Sequence, residues 1–342
     1  MQQLLFRLSV TSLVLILLVV LAGSVVRMTG SGMGCPDWPK CFGYYIPPSD
    51  VETLTWSEGR TFQKGNMILH DEAFYTAKVD FAADAAFNPN NWDKYTTHDY
   101  SSFNAMHTWI EYINRLLGAL AGLPVLAFFV SSLFYLKRDP VVTILGAVGL
   151  VLLGFAAWLG KLVVDGNLIP HSITYHMFSA LGLVAIFAFL VARLQQLDFA
   201  FQTKRDSRIL WLGGLGIGLL LVQIALGTEV REEIDAIALR IAADRSAWID
   251  ALPNIFKIHR TFSLGVLGVI ALFAFWVVRT RSVSTWPRVL LVLVCLEILA
   301  GMGLAYLGMP AILQPVHLMF AVLTFTVLVM VLVMYHRKTI HA

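Results

Sequence analysis

Phe256-Lys257-Ile258-His259-Arg260 ends a polar segment and opens an uncharged run of 18 residues, 261–278. A histidine at the mouth of an apolar helix is costly unless water or a partner uses it. A second histidine, His317, stands just inside the last apolar segment. How many such segments there are, and how long each is, decides the fold.

The chain has 342 residues, of which 58% are hydrophobic and only 14% charged, with a mean hydropathy of +0.72. Soluble domains carry about 25% charged residues. The apolar residues fall into runs that match the roughly 20 helical residues needed to cross a hydrocarbon core of about 30 Å. Working outward from His259, the sequence predicts eight membrane spans. They are residues 8–26, a second span from near His107 with its uncharged body at 116–136, then 140–160, 173–192, 209–228, a sixth from Lys257, and two within 289–335. The last stretch is too long for one span, and Gly308-Met309-Pro310 is its natural break. The class is an all-α polytopic membrane protein.

Two long polar segments, 28–106 and 229–256, interrupt the pattern. With both termini inside, the short inner segments hold Arg7, Lys137, Arg138, Arg193, Lys204, Arg205, Arg208, Arg279, Arg281, Arg288, Arg337 and Lys338. Their only acids are Asp139, Asp198 and Asp206. This bias fits the positive-inside rule and sends the long polar segments outward. No cleavage site or transit peptide is evident at the first run, which is read as a retained helix. The expected home is the bacterial cytoplasmic (inner) membrane, with lipid as surroundings. No basic stripe with interleaved aromatics points to nucleic acid.

The two halves resemble each other. Residues 21–27 (LAGSVVR) match 225–231 (ALGTEVR), residues 111–115 match 256–260, and His176-Met177-Phe178-Ser179-Ala180 matches His317-Leu318-Met319-Phe320-Ala321. The expected organisation is therefore two parallel-related four-helix repeats, 1–208 and 209–342. The first carries the large outer loop 28–106. This duplication puts Asn114, His176, His259 and His317 at equivalent outer ends of even-numbered spans.

A lone membrane-edge histidine is more often interfacial or bonded to a neighbouring helix than a ligand. Two at equivalent depth reverse those odds, because imidazole is a good iron ligand and haem sites are built between facing helices of bundles. Zinc would want a third ligand, and no Cys or acid lies close in sequence. Arg27, Arg115, Arg231 and Arg260 gather at the same face, either as partners for haem propionates or as headgroup anchors. Glu111 shares a helix face with Asn114, with His107 further out. Glu111 is either a proton-handling acid or a helix-start carboxylate favoured by the dipole. Cys35 and Cys41 lie in the outer segment, where an oxidising compartment supports a disulfide. It would serve as a staple or as a redox relay. Residues 235–244 look like an interfacial helix.

Taken together, Gly23-Ser24-Val25-Val26-Arg27-Met28-Thr29-Gly30-Ser31-Gly32, the paired cysteines, Glu111-x-x-Asn114-Arg115, His176, His259-Arg260 and His317 resemble the heme A synthase family. The resemblance covers nearly the whole chain and is weakest at 51–102, which is longer than usual. It implies conversion of haem O to haem A by oxidising a ring methyl to formyl, within cytochrome oxidase maturation. It further implies a resident haem b on His259 and His317, a substrate haem on His176, and Glu111 as the essential acid. The family typically has histidine where this chain has Asn114. A second substrate-haem ligand is thus open here, with His107 as an alternative. Heme O synthase is the upstream partner that such an activity implies; the electron acceptor, the formyl oxygen source and any homo-oligomer stay open.

Two other classes compete. A non-catalytic di-haem b electron carrier would show the same histidines. A transporter would place polar, broken helices near the midplane, whereas the polar residues here cluster at the outer ends.

Overall fold

The computed structural model describes residues 1–97, 103–166, 171–195, 206–240, 245–279 and 285–340. Asp198, Lys204, Arg205 and Arg281 of the inner charge pattern lie outside the described residues, as do Ile241 and Asp244 of the expected interfacial helix.

Helix α1 (Gln2–Thr29) ends where Gly30 adopts the left-handed conformation (φ 70°) and returns its N–H to the Arg27 carbonyl. The side chain of Asn104 caps α2 (Ala105–Leu133) by accepting the His107 N–H. Pro140 starts α3 (Pro140–Asp165), where its missing N–H costs nothing. Next come α4 (Ser172–Leu194), α5 (Ser207–Arg240) and the short α6 (Arg245–Asp250). The chain then forms α7 (Asn254–Arg279), α8 (Trp286–Tyr306) and α9 (Leu313–Ile340). Gly308, at φ 69°, lies in the break between the last two, where the sequence put it. Eight of these helices, all but α6, are long and apolar enough to cross a membrane.

The main departure is in α5. It continues unbroken to Arg240, through the first part of the segment read as a polar loop. The reason is one apolar face: Val230, Ile234 and Ile237, at helical spacing, pack with Trp248 of α6 and Met309. Residues 235–240 are thus the last turns of α5, with Ile237 buried in protein and Ala238 packed beside it. They do not begin a separate interfacial helix.

The outer segment adds short strands to an otherwise helical chain. Strands β1 (Thr61–Phe62) and β4 (Phe81–Ala82) pair antiparallel, and β3 (Ala73–Ala77) lies between β2 (Met67–His70) and β5 (Trp92–Lys94). Phe62, Ile68, Ala77, Ala83 and Trp92 form the module's small core. Phe42, Leu54, Met67 and Phe74 form a second small core with the buried cysteines.

In the membrane region α1 packs on α2, α2 on α3, α3 on α4, and α4 back on α1. The later helices close a second ring in the same order: α5 on α7, α7 on α8, α8 on α9, and α9 on α5. Helix α9 meets both α4 and α1, and α4 and α9 are the most enclosed spans. Phe187 of α4 is fully buried; it meets Phe128 of α2 edge-on at 5.7 Å and lies where a side chain at Gly149 of α3 would have to go.

Candidate functional site

His259 lies near the start of α7 and His317 near the start of α9, on helices that both pack against α5 and α8. Their imidazole centroids are 6.4 Å apart with the planes at 82°. That spacing suits two imidazoles directing one nitrogen each at a shared metal ion, with metal–nitrogen bonds of about 2 Å. His317 Nδ1 is 2.9 Å from the Glu297 carbonyl oxygen. As donor to that oxygen it fixes the ring and leaves Nε2 for a metal, the usual division of labour in ligating histidines. His259 Nδ1 is buried and, among the described residues, has no hydrogen-bond partner. The backbone of His259 is held instead, its carbonyl accepting from Gln223 Nε2 at 3.1 Å. These groups fit a haem held between two histidines.

Each ring rests against a glycine of the neighbouring helix. A Cβ on Gly227 of α5 would come within 3.2 Å of the His259 ring, and one on Gly301 of α8 within 3.1 Å of the His317 ring. The first ring of helices has the same arrangement. Gly160 of α3 faces His176 of α4, with 3.4 Å from a Cβ to the imidazole, and Gly23 of α1 faces Asn114 of α2 at 3.7 Å. His176 Nδ1 and Asn114 Oδ1 are both buried without a hydrogen-bond partner among the described residues. Gly160 and Gly301 did not enter the sequence reading; the signal was there, each lying 16 residues before a histidine of the repeat. Gln223 and the Glu297 carbonyl carried no such signal.

Glu111 is buried one turn before Asn114, and it does not stand free. Its Oε2 accepts the Cys35 N–H at 2.8 Å, and its Oε1 accepts from Arg115 Nη2 at 2.5 Å. Arg115 also donates to the carbonyls of Asp37 (2.6 Å), Lys40 (3.0 Å) and Cys35 (3.2 Å). One guanidinium therefore gathers the loop that the Cys35–Cys41 disulfide closes and ties it to the acid. The groups Arg115 engages belong to that loop and to Glu111, a role beside the two the sequence left open, propionate partner or headgroup anchor. Asp37, inside the loop, accepts from the Gly43 N–H at 2.9 Å. Burial raises its carboxyl above the ordinary carboxylate range, against the pull of the Gly43 and Phe42 amides and the Arg115 charge.

The other arginines divide. Arg27 of α1 donates Nε and Nη2 to Asp235 Oδ2 at 3.2 and 2.9 Å. Arg231 of α5 pairs with Asp235 Oδ1 at 2.8 Å and donates to Gln314 Oε1 at 2.7 Å. Arg260 is exposed, its guanidinium carbon 5.9 Å from the Phe256 ring centroid. His107 stands in the first turn of α2. The regular helix keeps it about 10 Å outward of Asn114 along the axis.

A family model described as COX15-CtaA, cytochrome oxidase assembly protein, matches residues 6–77 and 82–329. The chain is similar to the heme A synthase of Shewanella oneidensis, 24% identical over 272 residues, which cover 78% of this chain and 70% of that protein. It is likewise similar to the heme A synthase of Flavobacterium johnsoniae, 24% identical over 339 residues (90% of this chain, 91% of that one). A third, from a Bradyrhizobium species, is 26% identical over 346 residues, 92% of this chain and 87% of that protein.

Proposed function

The chain belongs to the COX15-CtaA family of cytochrome oxidase assembly proteins, and from that membership we propose that it is a membrane oxidoreductase converting haem O to haem A. The relatives named heme A synthase support the activity. The observation that carries the site reading is the facing pair His259 and His317, with centroids 6.4 Å apart and each ring seated on a glycine. The C-terminal half, 209–342, holds a resident haem b through these two residues, and the N-terminal half, 1–208, takes the substrate haem through His176. Both termini lie in the cytoplasm of a bacterial cell and the outer module faces away from it. The upstream supplier is a heme O synthase.

When bound, haem b supplies a one-electron couple. The protein's own groups do the rest. The Glu297 carbonyl orients His317, and Gln223 fixes the backbone that carries His259. Oxidising a methyl group to formyl removes four electrons from that carbon; with water as the source of the formyl oxygen, R–CH3 and H2O give R–CHO, four protons and four electrons. Glu111, held by Arg115 and the Cys35 amide, is placed one helical turn from Asn114 to stabilise positive charge and take up a proton at a carboxylate oxygen. Arg27, Arg231 and Arg260 lie at the outer edge, where they can pair with propionates. An electron acceptor outside this chain receives the electrons.

Extraction of haem from cells co-expressing this chain with a heme O synthase tests the activity. Formyl-bearing haem A is expected. Its absence, with a normal haem b spectrum in the purified protein, would favour the non-catalytic electron carrier. For the ligands, His259→Ala and His317→Ala should each abolish or convert the low-spin haem b signal. An unchanged signal in both folded variants would remove the assignment.

A further inference from the structure

Four glycines mark four equivalent positions in the two helix rings. Three face an imidazole: Gly160 faces His176, Gly227 faces His259 and Gly301 faces His317. The fourth, Gly23, faces the amide of Asn114. The helices of both rings pack in the same order, α1-α2-α3-α4 against α5-α7-α8-α9, so Asn114 occupies the place in its ring that His259 occupies in the other. The amide is also the shorter group. A Cβ on Gly23 would meet Oδ1 at an ordinary 3.7 Å, where the three imidazoles sit at 3.1 to 3.4 Å. Asn114 Oδ1 is buried and unpartnered among the described residues.

An amide is a poor iron ligand beside imidazole, yet it offers two N–H donors and a carbonyl acceptor to a small polar molecule. Little else nearby can take over as ligand. Glu111 and Arg115 are committed to the disulfide loop, and His107 is two turns further out on the same helix. We infer that the N-terminal ring binds its haem through His176 alone and that Asn114 presents the opposite iron face with a hydrogen-bonding group, leaving one exchangeable position for a small oxygen or diatomic ligand. This rests on the reading of that ring as the haem O site.

The test uses the full-length protein purified from cells that make haem O, with carbon monoxide as the probe. After reduction, one of its haems should bind carbon monoxide, and the oxidised protein should show a high-spin component beside the low-spin haem b. Asn114→His should abolish carbon monoxide binding and convert the high-spin component to low-spin. His176→Ala should lose the reactive haem while the C-terminal low-spin spectrum persists, which also reports folding. Wild-type protein with no carbon monoxide binding would overturn the inference, whether it carries one haem or two. So would carbon monoxide binding that persists in Asn114→His, or that appears only in His107→Ala. Failure of the underlying activity reads differently: carbon monoxide binds as expected, yet extracted haem contains no haem A.

Discussion

Arg115 and Glu111 are four residues apart on α2, and the ion pair between them is buried. A buried pair contributes only when its remaining hydrogen-bonding groups are satisfied. Here the Cys35 amide and three loop carbonyls do that. Glu111→Gln keeps the shape, removes the charge and can no longer accept as strongly from Arg115. It should lose most haem O turnover while the C-terminal haem b spectrum stays intact; near-normal turnover would reduce Glu111 to a loop anchor. Asp37, in the same loop, carries a pH dependence of determinate sign. Burial raises its carboxyl in the folded state, so the folded state holds the proton more tightly than the unfolded chain. That stabilisation is complete below the unfolded value of about 3.9 and is lost as pH rises through the raised value. Melting temperatures across mild acid should therefore fall less steeply with rising pH in Asp37→Asn than in the wild type. Parallel curves would contradict this.

At the scale of elements, the outer loop and the start of α2 form one unit. Gly34 has ordinary helical backbone angles, so any residue could adopt them. Space is what excludes a side chain, because a Cβ would stand 2.4 Å from the His107 carbonyl oxygen and 2.8 Å from the Thr108 nitrogen, both backbone atoms. Thr108 Oγ1 donates to the Gly34 carbonyl at 2.9 Å and completes the seam. Gly34→Ala should cost about 1–3 kcal/mol, the range for overpacking a closed contact, and should loosen the Cys35–Glu111 bond next to it. Thermal unfolding read by the haem-independent tryptophan signal, together with haem O turnover, checks both. Wild-type values in both measurements would mean that the seam opens freely.

Across the whole molecule, the two helix rings meet through α4, α9 and α1, and charged groups join them where α1 ends and α4 begins. Asp235 sits between Arg27 of one half and Arg231 of the other. His171, at the head of α4, receives Glu229 and Glu232 from α5. Asp235→Asn leaves two guanidinium groups sharing a neutral amide. For a half-exposed network the expected loss is about 1 kcal/mol or less, greatest at low ionic strength and shrinking as salt screens the remaining repulsion. Melting temperatures of wild type and variant at low and high salt measure it, and a salt-independent difference would point to packing as the cause. The apolar interface calls for a larger effect: Phe187→Ala in α4 should cost about 3–5 kcal/mol through the cavity it leaves among three helices.

The number of spans and the break at Gly308 were legible in the sequence, because lipid demands long uninterrupted apolar helices and makes each polar residue within them conspicuous. The extension of α5 to Arg240 was not, since its apolar face is short and its partners, Trp248 and Met309, are distant in the chain. The five strands of the module between α1 and α2, among the described residues, were hidden for a related reason: each is only two to five residues long, and their pairing depends on contacts across the loop. Sequence placed Glu111, Arg115 and the cysteines separately. That Arg115 turns to the loop carbonyls, and that a glycine backs each of Asn114, His176, His259 and His317, was decided by packing between helices, where distances of a few ångströms choose among partners that composition and spacing leave equivalent.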